Sequence, residues 1–169
     1  VRSLLMINYG DFEIIVIHDG STDKTLRKLT AAHALRRTDR PYKRTIPTDD
    51  VRAAYGSLAH PNLTGVDKDK GGKADALNVG INLARYPLFC SIDADSIIED
   101  NALLRVVKPF LEKPIETIAA GGIVRIDIAI GDGGDSPNLG CVLDVVPMER
   151  LVWTSMLFPG YRPAVFDDI

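Results

Sequence analysis

The stretch that most constrains the fold is Leu88-Phe89-Cys90-Ser91-Ile92-Asp93-Ala94-Asp95-Ser96, an apolar run ending in two carboxylates one residue apart. Leu88 to Ile92 reads as a buried strand, short and apolar on both faces. Asp93 and Asp95 then fall where the strand gives way to a loop. Residues i and i+2 of an extended segment point the same way, so both carboxylates can reach one site. In open α/β sheets, ligands bind outside the carboxyl ends of the strands. Two crowded carboxylates repel unless a proton or a cation lies between them. A hard divalent ion, bound by one or two carboxylates plus substrate phosphates, meets that need. The plain alternative is a polar strand end leading into a helix N-terminal region, where acids are favoured in any case.

Upstream, Phe12 to Ile17 is β-branched and reads as a strand ending in His18-Asp19-Gly20-Ser21-Thr22-Asp23. A helix follows from about Lys24 to Leu35, with Leu26, Leu29 and His33 as its apolar stripe. Gly20 permits a tight turn, and Ser21, Thr22 or Asp23 can cap the helix. Taken alone, this segment is turn and cap chemistry, and His18 is a strand-end histidine. Arg36 to Arg44 is basic, interrupted by Pro41, and reads as a solvated loop. Ile46 to Ser57 is ambiguous, with Val51 to Tyr55 a short helical or extended piece, and Leu63 to Asp67 reads as a strand.

Lys68-Asp69-Lys70-Gly71-Gly72-Lys73 is a charged, glycine-containing loop. It leads into a helix from Ala74 to Ala84 whose face is Leu77, Ile81 and Ala84. Lys73 stands at the helix start, where free N–H groups, the helix dipole and an ammonium together suit an anion such as a diphosphate. A solvated lysine beside a flexible loop is the alternative. After the central strand, Asp100 or Ser96 can cap a helix whose core face is Leu103, Leu104, Val107, Phe110 and Leu111, with Pro109 kinking or ending it. Thr117 to Ile126 reads as a strand bulged at Gly121-Gly122. Asp127 to Leu139 reads as a loop, Val142 to Val146 as a short strand and Met148 to Leu157 as a weak helix.

The 169 residues suffice for one domain with a real core. A net charge of −3 exerts no general pull on nucleic acid or anionic membrane, so any phosphate site must be local. Cys90 and Cys141 form neither a disulfide framework nor a zinc pattern and fit reduced, cytoplasmic surroundings. No apolar run approaches the roughly 20 residues of a membrane span, and no signal peptide is visible. The chain opens without Met on Val1-Arg2-Ser3-Leu4-Leu5, which reads as the end of an amphipathic helix; the expectation is an excised fragment.

Strands alternating with helices predict an α/β fold, a mainly parallel sheet with helices on both faces. Three strand-to-helix junctions carry polar chemistry: Asp19-Gly20-Ser21, Lys73 and Asp93-x-Asp95. All three are expected on one sheet edge.

The series His18-Asp19-Gly20-Ser21-Thr22-Asp23, Gly71-Gly72-Lys73-Ala74-Asp75-Ala76-Leu77-Asn78 and Asp93-Ala94-Asp95-Ser96 resembles the family 2 inverting glycosyltransferases of GT-A (Rossmann-like) fold. It is most similar to their membrane-bound processive branch, the poly-N-acetylglucosamine, hyaluronan and cellulose synthases. The resemblance runs from Val1 to about Arg125 and takes in Val51-Arg52-x-x-Tyr55-x-Ser57 and Gly121-Gly122-Ile123-Val124-Arg125. It implies a UDP-sugar donor, a carbohydrate acceptor, and transfer of N-acetylglucosamine or glucose with inversion. Asp19 would bond the uracil, with Gly20, Ser21 and Asn78 in the same donor-binding set, and Lys73 would contact the diphosphate. Asp93 would hold the ribose or the metal, and Asp95 would coordinate Mg²⁺ or Mn²⁺.

There are departures from the family pattern. The first strand, with its Pro-x-x-Asn-Glu-like segment, is absent, as are the acidic base motif and the Gln-x-x-Arg-Trp motif; Glu149 is not assigned as the base. Residues 1–125 are therefore expected to be the donor-binding part and 126–169 the divergent start of an acceptor-side part. Such a fragment is expected to be inactive alone and to derive from the cytoplasmic domain of a bacterial inner-membrane protein. Its exposed sheet edge favours homo-oligomers. Three rival readings are weighed against this one: a haloacid-dehalogenase-type phosphotransferase with Asp93 as nucleophile, a nucleotidyltransferase of similar fold, and a catalytically incompetent nucleotide-binding or interaction domain.

Overall fold

The computed structural model describes residues 1–121 except 43, 95 and 96, together with the backbone of 144–147. Contacts divide the chain into two compact units, one of Val1–Gly10 with Leu88–Pro147, the other built on Asp11–Pro87.

The unit of Asp11–Pro87 holds a four-stranded sheet of order β1-β4-β3-β2. Its strands are β1 (Ile14–Asp19), β2 (Leu35–Thr38), β3 (Val51–Ser57) and β4 (Leu63–Lys68). β1 and β4 run parallel, Ile14 opposite Leu63 and Asp19 opposite Lys68. β3 is antiparallel to both β4 and β2. The sheet is thus mixed, and of the described strand pairs only β1–β4 is parallel. The α/β class stands; the mainly parallel expectation yields because β2 and β3 form a hairpin-like return rather than a helix crossover.

Helices α2 (Thr25–Ala32) and α3 (Lys73–Leu83) belong to this unit. Val79 and Leu83 of α3 pack on Val66 of β4, with Ile15, Ile17 and Val51 around them. Val66 and Val79 are fully buried. The basic segment read as a loop begins instead with β2. Leu35 is buried while Arg36, Arg37 and Thr38 are exposed, a charged edge strand of the kind that resists unwanted pairing. α2 stops at Ala32 rather than Leu35, because Ala34 adopts φ 49° and turns the chain into β2. The ambiguous segment resolves as β3.

The other unit holds α1 (Arg2–Leu5), β5 (Leu88–Ser91), α4 (Ala102–Glu112), β6 (Ala120–Gly121) and β7 (Asp144–Pro147). β7 lies between β5 and β6, antiparallel to both. β5 is half-buried rather than fully buried. It belongs to a different sheet from β1, since β7 supplies its backbone partners, so the three polar junctions do not share one sheet. Val106, Val107 and Phe110 of α4 form the core, against Leu88, Cys90, Ile92 and Leu103. Leu104 and Leu111, expected on the core face, are 50% and 78% exposed. α4 continues to Glu112 past Pro109. Its first residue follows Asn101, and neither expected cap is seen at work: no side chain bonds the α4 N-terminus, and Ser96 lies outside the described residues. The expected strand over Thr117 to Ile126 is seen as Ala120–Gly121, and its continuation, the loop after Asp127 and the helix after Met148 lie outside the described residues.

Candidate functional site

Because β1 and β4 are parallel and in register, their last residues, Asp19 and Lys68, stand side by side. The chain leaves β1 through Gly20 and leaves β4 through Asp69 to Gly72 before entering α3 at Lys73. Asp19 ties these exits together. Its Oδ1 accepts from Lys68 Nζ at 2.7 Å and from the Gly71 amide at 2.9 Å, and its Oδ2 accepts from the Gly72 amide at 2.8 Å. Burial alone would push the Asp19 carboxyl up, but bonds from the Gly71 amide, Lys68 and the Gly72 amide outweigh it and hold the group below its ordinary range. Gly20 has φ +62°, and a Cβ there would lie 2.8 Å from the Cβ and the amide nitrogen of Lys70. No side chain fits that turn.

Lys68 is wholly buried. Its Nζ also lies 2.7 Å from Asp75 Oδ2 on the first turn of α3 and donates to the Asp69 carbonyl. Burial pulls its pKa down, yet the two carboxylates more than compensate and raise it above the usual lysine value. Asp75 Oδ1 accepts the Asp49 amide at 3.0 Å. A Cβ on Gly71 would come within 2.6 Å of the Asp49 carboxylate and 2.7 Å of the Asp75 carboxylate, so a side chain there would have to displace one or both.

Side chains alternate across a strand, and a second polar cluster is built from the neighbouring positions. His18 Nδ1 faces Asp67 Oδ1 at 2.9 Å. Arg52, displaced from the ladder by an irregularity between Val51 and Ala53, reaches Asp67 at 3.1 Å and Asp69 at 3.3 Å. It also donates to the Lys68 carbonyl at 2.6 Å.

Of the residues singled out in the sequence, Asp19, Gly20, Ser21, Lys73 and Asn78 fall in the unit of Asp11–Pro87. Lys73 is exposed on the first turn of α3, and Asn78 is half-buried further along it. Ser21 is exposed, and the α2 N-terminus is bonded by Asp23, which accepts the Thr25 amide at 2.9 Å. Asp93 is exposed just beyond β5 in the other unit, and Asp95 lies outside the described residues. Sequence reasoning missed Lys68, Asp75 and the His18–Asp67–Arg52 cluster. The pairing of β1 with β4 brings Lys68 to Asp19 and Asp67 to His18, while Asp75 comes from α3 and Arg52 from β3.

A model of the family described as glycosyl transferase family 2 matches residues 45–138, more than half of the chain. The chain belongs to glycosyl transferase family 2. Within the family 2 match lie Lys73, Asn78, Asp93 and Asp95, whereas Asp19 precedes it. The chain is 29% identical over 115 residues to a poly-beta-1,6-N-acetyl-D-glucosamine synthase of Staphylococcus epidermidis RP62A, covering 68% of this chain and 22% of the relative. The Staphylococcus aureus COL and N315 proteins of the same name are 27% identical over the same lengths. This family 2 chain thus spans about a fifth of the length of the curated relatives it matches. No solved structure matches it. Among the described residues, no helix is long and apolar enough to cross a membrane.

Proposed function

We propose that the chain is the donor-binding part of a glycosyltransferase that takes a UDP-sugar and transfers N-acetylglucosamine or glucose, with inversion, to a hydroxyl of a growing polysaccharide. The observation that carries this reading is the Asp19 carboxylate bonded to Gly71 and Gly72, which joins a β1 end to the start of the Lys73 helix within a family 2 chain. Asp19 holds the uracil and Lys73 the diphosphate.

In the transfer, the acceptor oxygen bonds to the anomeric carbon as the bond from that carbon to the β-phosphate oxygen breaks. The acceptor proton passes to a base, and UDP departs with the bonding pair. Lys73 and the α3 N-terminus oppose the charge that grows on the leaving phosphate. Among the described residues no three His, Cys, Asp or Glu side chains gather to hold a metal. An exposed Asp93 with Asp95 suits instead an ion that takes a carboxylate or two and completes its shell with phosphate oxygens. Asp93 and Asp95 would hold Mg²⁺ or Mn²⁺, which would supply Lewis-acid neutralisation of phosphate charge.

Calorimetric titration of this chain with UDP, first with Mn²⁺ and then with excess chelator, tests the reading. Binding that weakens on chelation is expected. UDP affinity unaltered in Asp19→Ala removes Asp19 from the site, and affinity indifferent to Mn²⁺ removes the metal.

A further inference from the structure

Lys68 has no part in the reading above, yet it is wholly buried and its ammonium lies against two carboxylates. An ammonium carries three hydrogens, and Lys68 Nζ meets three oxygens: Asp19 Oδ1, Asp75 Oδ2 and the Asp69 carbonyl. These come from the end of β1, the first turn of α3 and the loop joining β4 to α3. Without the ammonium, two carboxylates would face each other where water is scarce, an arrangement that repels. The ammonium also governs the direction of the Asp19 carboxylate, because Oδ1 serves both Lys68 and Gly71 while Oδ2 serves Gly72. An ionised carboxylate accepts at about four lone-pair sites, so three donors leave about one open.

We propose that Lys68 is a positioning residue of the nucleotide site: it fixes the Asp19 carboxylate on Gly71 and Gly72, sets the start of the Lys73 helix, and leaves one Asp19 lone pair directed at a donor group of the nucleobase. The proposal rests on the reading that Asp19 and Lys73 hold a nucleoside diphosphate. The groups facing Asp19 are Lys68 and the amides of Gly71 and Gly72.

Lys68→Met keeps most of the side-chain length and removes the charge. Its effect is read first without nucleotide, by NMR of the Gly71 and Gly72 amide protons and of the Asp19 carboxyl carbon through an acid titration. Both amide signals are expected to shift, the Asp19 midpoint to rise, and UDP affinity to fall by roughly tenfold or more, the scale of a lost bond between charged groups. Should Lys68→Met fail to fold, the pair Lys68→Met with Asp75→Asn removes the surplus carboxylate and is read in the same way. A role confined to stability would lower the melting temperature and leave the Asp19 titration of the folded state in place. Unchanged amide and carboxyl signals overturn the proposal whatever UDP does. Shifted signals with unchanged UDP affinity overturn Lys68 as a positioner of the nucleotide. Shifted signals in a protein whose parent chain fails to bind UDP overturn the nucleotide reading and leave the hold of Lys68 on Asp19 supported.

Discussion

At the scale of single residues, Asp19 shows how pairing converts a turn motif into a junction of three hydrogen bonds. From the sequence, Asp19-Gly20-Ser21 reads as turn chemistry, and the Gly20 part of that reading is right. Replacing Gly20 by Ala should cost at least about 1–2 kcal/mol for the left-handed backbone alone, before Lys70 is displaced; a urea midpoint equal to that of the parent would contradict this. Asp19 also gives stability a pH dependence. Its folded pKa lies below the unfolded 3.8, so its contribution is complete above that value and disappears as pH falls through the depressed folded one. Lys68 mirrors it: a pKa raised above 10.5 contributes fully below that value and is lost only as pH rises beyond it. Melting temperature should therefore climb as pH rises toward 3.8 and climb less in Asp19→Asn; parallel curves would remove Asp19 from the linkage. Lys68 was illegible because it begins a run of alternating charges that looks solvated. Its partner Asp19 is 49 residues away, and only the β1–β4 register brings them together.

At the scale of elements, α3 carries the most structure. Leu77, Ile81 and Ala84 suggested a narrow stripe, but Val79, Gly80, Ile81, Asn82 and Leu83 are all buried, and Ala84 lies just past the helix end. Helical spacing locates a stripe, and here the second half of α3 is covered on more than one side. The 45–46 segment contributes to that cover, and it is held by a polar residue that periodicity ignores. Asn82 Oδ1 accepts the Thr45 and Ile46 amides at 3.0 and 2.9 Å, and its Nδ2 donates to the Ile46 carbonyl at 2.7 Å. Asn82→Ala strands backbone groups in a buried place, at about 1–3 kcal/mol for each group that water cannot reach. Urea denaturation should show a loss of that order, and a loss below about 0.5 kcal/mol would mean that the segment is not held by Asn82. β2 escaped the sequence reading for a related reason. An edge strand bearing Arg36 and Arg37 has no alternation to detect, and only Leu35 is buried.

At the scale of the whole molecule, most of the described helices and strands were legible, β2 being an exception, while the pairing was not. A period of two reports that a segment is extended; it does not report which strand lies beside it or in which direction. Hence the α/β class and the junctions at Asp19, Lys73 and Asp93 were read from the chain, whereas the mixed sheet and the separate sheet of β5 were not. Lys73, Asp93 and Asp95 all fall within the segment that the family 2 model matches. The consequence for the molecule is thermodynamic. A ligand that binds only the folded chain stabilises it by about 2.7 kcal/mol at a hundred times its Kd. UDP should therefore raise the melting temperature, and Mn²⁺ should add a further rise that Asp95→Ala abolishes. Asp19→Ala should diminish the UDP effect with or without the metal. The proposed roles of Asp19 and Asp95 differ, so the signatures of the two substitutions must differ. A Mn²⁺ increment that survives Asp95→Ala would place the ion elsewhere, and equal losses from both variants under chelation would mean that Asp95 acts on the fold rather than on a metal.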